Sequence, residues 1–198
     1  GAGLALNLIF GKAEAELILP AAEDTTAAGS VTVTALQSGN IETTGVSGGA
    51  GGTIGGAGSI SINVMNRQAD ARIASDIAGA RAALEMAGHD LTLSSTQFGL
   101  ITSVAGAAGL GGTAGIGGAI AVNILSDDAD TELADILVDT RIASDLAGAG
   151  EITVLTRQDQ VVGGAAAALG GGAGGTFAGS FVVNVADGSA ITTLHDSA

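Results

Sequence analysis

The sequence predicts an all-β fold: an elongated β-solenoid, or β-helix, built from repeats of about 60 residues with Gly/Ala-rich coils. Three observations predict it. A short pattern ending in Asn recurs four times at nearly constant spacing. A period-2 alternation of small inward and charged outward residues follows it. The stretches between these patterns are long, uncharged and made mostly of Gly and Ala.

The Asn pattern occupies Gly3 to Asn7, Gly58 to Asn63, Gly118 to Asn123 and Gly179 to Asn184, and successive Asn residues stand 56, 60 and 61 apart. It divides the chain into repeats at 1–57, 58–117, 118–178 and a partial 179–198. Six, eight and ten residues after each Asn comes a small-small-large set. Its last members are Leu17, Ile73, Leu133 and Leu194. The residues between are charged in the first three copies (Glu14 and Glu16, Asp70 and Arg72, Asp130 and Glu132). Alternation of this kind belongs to a strand with one buried face.

A second strand precedes Gln37, Gln97 and Gln158. It reads Val31-Thr-Val33, Leu91-Thr-Leu93 and Ile152-Thr-Val154. Asn-to-Gln distances of 30, 34 and 35 residues place the length variation between the two strands, as for a surface loop on a repetitive scaffold. In that region Ile77–Ala87 and Asp130–Ala147 contain good helix formers, so a short helix and an extra strand are equally expected there. The Gly/Ala segments (47–58, 104–118 and 162–179) suit tight corners and close backbone approach.

Composition narrows the class. Among 198 residues are 34 Gly, one Pro, no Cys, no Trp and no Tyr. The aromatics are Phe10, Phe98, Phe177 and Phe181, too few for the wide core of an ordinary globular domain. Hydrophobic residues at 46% against 13% charged exclude the disordered signature. A net charge of −14 argues against nucleic-acid partners and charge-driven lipid adhesion. It also predicts a soluble surface that resists lateral stacking. Residues 101–125 and 161–186 carry no charge, but their Gly/Ala content and strand alternation do not fit a membrane span. Gly170, Gly172 and Gly175 match a dinucleotide-loop spacing, yet Phe181-Val-Val, a strand pattern, follows where a helix is required.

Chemistry is sparse. His89 and His195 fall in non-equivalent places, and no nucleophile elbow occurs. Absence of Cys and scattered His make a zinc site improbable. Asp127, Asp128 and Asp130 gather carboxylates in a short span and form the calcium candidate; the competing reading is a solvated acidic face. No other cofactor is expected. Asn7, Asn63, Asn123 and Asn184 are structural candidates. They hydrogen-bond along the stack if they are adjacent, and cap their own turns if each repeat spans several coils.

The order of a Gly/Ala run, Gly-x-hydrophobic-x-hydrophobic-Asn, Ala-x-Ala/Thr-x-Ile/Leu and Ala-Gly-x-hydrophobic-Thr-hydrophobic, best seen at Gly58–Ile73 and Ala87–Gln97, resembles the repeat regions of very large bacterial exoproteins of the haemagglutinin-like, leukotoxin-like and autotransporter adhesin type. The resemblance spans the chain. It implies a β-solenoid stalk displayed outside the cell, at the bacterial surface, with no catalytic residue to transfer.

The expected function is therefore structural and non-enzymatic, in a window of a longer protein. The alternatives are a self-assembling extracellular filament and a solenoid face that binds a carbohydrate or a cell surface. Neighbouring repeats are the first expected partners. With about three coils of roughly 20 residues per repeat, the window would hold on the order of 10 coils and about 50 Å of rod.

Overall fold

The computed structural model describes residues 1–21, 23–141 and 148–195. They form ten strands: β1 (Ala2–Leu19), β2 (Asp24–Thr26), β3 (Val31–Gly51), β4 (Ile54–Ser75), β5 (Ala82–Glu85), β6 (Leu91–Gly111), β7 (Ala114–Ala134), β8 (Ile136–Asp139), β9 (Ile152–Gly171) and β10 (Gly175–His195). There is no α-helix among the described residues. The strands make three wholly parallel sheets, ordered β1-β4-β7-β10, β2-β5-β8 and β3-β6-β9. Parallel sheets stacked in repeat order are consistent with a β-helix.

Each repeat makes one complete circuit, a rung, rather than three coils. The chain runs along the first sheet, crosses the short second sheet, returns along the third and turns into the next rung. The pairing register proves the circuit length, since Asn7 pairs with Asn63, Asn63 with Asn123, Asn123 with Asn184, and Gln37 with Gln97 and then Gln158. Rungs stack at about 4.8 Å, so four first-sheet strands rise only about 14 Å along the stack, while a 21-residue strand such as β3 reaches about 70 Å across it. The expectation of a long thin rod with many small coils is corrected to a few very wide rungs. One pattern alignment also shifts, because Ala2 rather than Gly3 pairs with Gly58.

Residue size explains the shape of a rung. Gly49, Gly51, Gly109 and Gly111 lie where the first and third sheets converge. A Cβ on any of them would overlap a carbonyl oxygen of the opposite strand. Only Gly lets the two backbones meet there. Next comes a layer of Ala57, Ala105, Ala107, Ala119 and Ala121, then one of Ile41, Met65, Ile101 and Leu125. The far end is widest, where Ile73, Leu84, Met86, Leu91, Leu93 and Ile136 fill the space closed by the second sheet. The inward frame at Leu17, Ile73, Leu133 and Leu194 pairs in register, with Ile73 and Leu133 buried and Leu194 open on the terminal rung.

The length variation sits at this wide end, in 20–30, 76–90 and 135–151. Within 77–87 the chain turns and then forms β5, and Gly79 and Gly88, with φ of 76° and 73°, break any helix. The second helical candidate runs through β7 and β8, and its 142–147 part lies outside the described residues. Carboxylates stitch these loops between rungs. Asp76 accepts from the Ala21 N–H at 2.7 Å, Asp135 from Gly79 at 2.9 Å and Asp90 from Glu151 at 2.8 Å.

Candidate functional site: two polar interior rows and an outer sheet face

One circuit per repeat brings the four Asn residues into a single row. Asn7 Nδ2 donates to Asn63 Oδ1 at 2.9 Å, Asn63 to Asn123 at 2.8 Å and Asn123 to Asn184 at 2.7 Å. Asn63 is fully buried and uses its whole amide. Its oxygen also accepts from Thr43 Oγ1 at 2.7 Å, and its nitrogen also donates to Ser61 Oγ at 3.3 Å. A satisfied buried amide adds about 1 kcal/mol per bond, and an orphaned one costs more. The ladder reading holds, and no Asn is left to cap its own turn.

Four residues after each Asn, on the same inward parity, stand Gly11, Arg67, Asp127 and Gly188 in register. Arg67 and Asp127 form a bidentate ion pair, with Nε to Oδ1 at 3.1 Å and a terminal guanidinium nitrogen to Oδ2 at 2.6 Å. Their side chains are 1% and 0% exposed. The third sheet makes room with glycine, since a Cβ on Gly39 would strike the Arg67 guanidinium and one on Gly99 both charged groups. In the outer rungs the space goes to glutamine instead. Gln37 lies against Gly11, and Gln158, against Gly188, donates to the Asp127 carbonyl. Gln97, between them in the row, is fully buried with neither amide atom hydrogen-bonded.

Strand alternation therefore splits the calcium candidate. Asp127 points into the core against Arg67, which also corrects the solvated-face reading for that residue. Asp128 points outward and accepts from Ser189 N and Oγ at 3.1 and 2.9 Å. Asp130 lies in an outward column with Glu14 and Asp70. Its carboxyl is pushed up from the ordinary value, first by partial burial and then by Asp70, Asp128 and Glu132. Among the described residues no three His, Cys, Asp or Glu side chains converge to hold a metal ion.

The outer face of the first sheet has two halves. One is charged. Lys12 meets Asp70 at 3.0 Å and Glu14 at 3.3 Å, and Arg72 bridges Glu16 at 3.3 Å and Glu132 at 3.0 Å across three rungs. The other half is apolar. Its rows are Leu4, Ile60, Ile120 and Phe181; Leu6, Ile62, Val122 and Val183; and Leu8, Val64, Ile124 and Val185. Beside the first row, Ala2, Gly58, Gly118 and Gly179 floor a groove of about 720 Å³ running along the stack. These outward rows were missed because sequence reading followed the inward frame. The positions one, three and five before each Asn carried the signal.

No helix among the described residues is long and apolar enough to cross a membrane. Comparison of the chain with protein-family models, curated proteins and solved structures gives no match.

Proposed function

We propose that the chain is a structural, non-catalytic segment: a β-solenoid forming part of the stalk of a secreted or surface-displayed bacterial adhesin. The observation that supports it is the rung register. The first three repeats are bonded over all three strands to their equivalents, and the Asn row and the Arg67–Asp127 pair hydrogen-bond between neighbouring rungs. Such a stack extends by adding rungs, each interface stabilising the one beside it. The buried polar groups maintain register, and the resemblance of the repeats to adhesin repeat regions favours a stack displayed outside the cell. Adding one internal repeat should lengthen the particle by about 4.8 Å along one axis in small-angle scattering, with circular dichroism remaining wholly β. A helical spectrum, or growth in all dimensions, refutes the solenoid. A secretion signal and further copies in the parent gene support the surface location; a cytosolic enzyme context refutes it.

A second reading is a self-assembling filament. β1 and β10 are edge strands of the first sheet, with Asn7 at one end of the amide ladder and Asn184 at the other. Head-to-tail stacking would continue the ladder as a heterologous contact. Electron microscopy separates the readings: short single particles favour the stalk, concentration-dependent polymers the filament.

A further inference from the structure

Nothing in the described chain covers the apolar half of the outer first-sheet face. Ile60 and Ile120, on interior rungs with neighbours on both sides, are each 39% exposed, and Phe181 is 61% exposed. Beside this ridge runs the glycine groove, and its glycines are not required by the fold. None has positive φ. A Cβ on Gly118 or Gly179 would meet nothing within 4 Å, and one on Gly58 only a carbonyl oxygen at 3.9 Å. The contrast with Gly109 and Gly111, where a Cβ would overlap backbone, is complete. Glycine inside a strand costs stability and marks a place where another backbone or ligand approaches. Here it is spent at outward positions of consecutive rungs, with no internal reason.

We propose that this face binds the same face of a second copy of this chain, pairing two stacks side by side. The ridge and the groove are adjacent columns, two residues apart along each strand. A two-fold axis parallel to the stack and midway between them drops each ridge into the other copy's groove, rung against rung. The other in-plane two-fold would set ridge on ridge. The same operation carries the two charged strips to opposite edges of the pair, so the acidic columns do not face each other. Four strands and about ten residues of each cover about 600 Å² per copy, or about 1,200 Å² in total, enough for a specific interface and growing with every added rung. Sheet faces at about 10 Å separation pack in this way within proteins. The inference depends on the stacked-sheet geometry and not on the stalk role.

Sedimentation of the 198-residue chain over a concentration series tests it. The wild type should dimerise. Gly118→Val should keep the circular dichroism spectrum, and at monomeric dilution an unfolding temperature no lower than wild type, while weakening the dimer by about 30-fold or more, as expected for the centre of an interface. Ile120→Thr, which keeps a β-branched residue in the strand, should weaken it in the same direction. Thr102→Glu, outward on the third sheet, should leave it unchanged. A wild type that stays monomeric overturns the proposal, including one that instead binds neutral lipid vesicles. So does a dimer or polymer insensitive to Gly118→Val, which would point to association through the sheet edges.

Discussion

The two polar interior rows solve one problem in opposite ways. The Asn row uses the same residue in every rung, and the amides of Asn63 and Asn123 each donate to one neighbour and accept from the other. It can extend without limit, but it cannot tell one rung from another. The row four residues on is used once: Arg67 on one rung meets Asp127 on the next, with Gly11 and Gly188 on either side. Displacing one first-sheet strand by a whole rung would again set Asn beside Asn. It would bury Arg67 or Asp127 against glycine, with no counter-charge. The comparison teaches that a homotypic row gives cohesion and a heterotypic pair gives order, the role best attested for buried polar groups in coiled coils.

The largest expected effect breaks the heterotypic row. Arg67→Met leaves Asp127 buried and unpaired and should cost about 3–5 kcal/mol in denaturant unfolding. Arg67→Met combined with Asp127→Leu should recover most of that loss, and mispaired species should then appear on refolding. A double variant as unstable as the single one would show that packing, not charge, governs the site. Asn63→Ala interrupts the homotypic row and orphans the facing groups of Asn7, Asn123 and Thr43, so about 1–3 kcal/mol should be lost, with rung order intact. Gln97→Leu sharpens the contrast, because its buried amide makes no hydrogen bond. That change should stabilise by about 1 kcal/mol in thermal unfolding.

The smallest effect lies outside the core. Asp130 has its pKa raised in the folded state by partial burial and then by Asp70, Asp128 and Glu132. The folded chain therefore holds this proton more firmly than the unfolded one. Its contribution is most favourable below the ordinary carboxylate range and declines as pH rises through the raised value. Asp130→Asn should remove that decline and increase neutral-pH stability by about 0.5 kcal/mol or less, since solvent screens the column. A titration of unfolding temperature against pH for both chains reads the difference.

The inward frame was legible because its parity is carried by residues of contrasting size and charge, as at Asp70-Ala71-Arg72-Ile73. The width of a rung was not. In Gly48–Gly51 and Ala105–Gly109 both faces are small, so alternation vanishes where strands continue, and a long strand looks like a set of corners. The repeat spacing held the missing information, since no shorter period lies inside it and a 60-residue step between like residues is itself one circuit. Proximity to Asp128 and Asp130 suggests a calcium cluster or a solvated acidic face for Asp127, and neither describes it. Parity counted from Asn123 places it inward, and the same count from Asn63 places Arg67 beside it. The apolar outer rows were readable residue by residue, but their adjacency depends on the circuit length and became visible only with it.

The taper of each rung has a mechanical consequence. Two sheets about 10 Å apart and strands about 70 Å long make a stack whose cross-section is a blade rather than a disc. Bending stiffness grows with the cube of the dimension lying in the plane of the bend. A tall stack of these rungs would thus resist flexing edgewise about fifty-fold more than flatwise. Its persistence would be directional, like that of a strip of spring steel, and a second strip laid flat against it would stiffen the soft direction first.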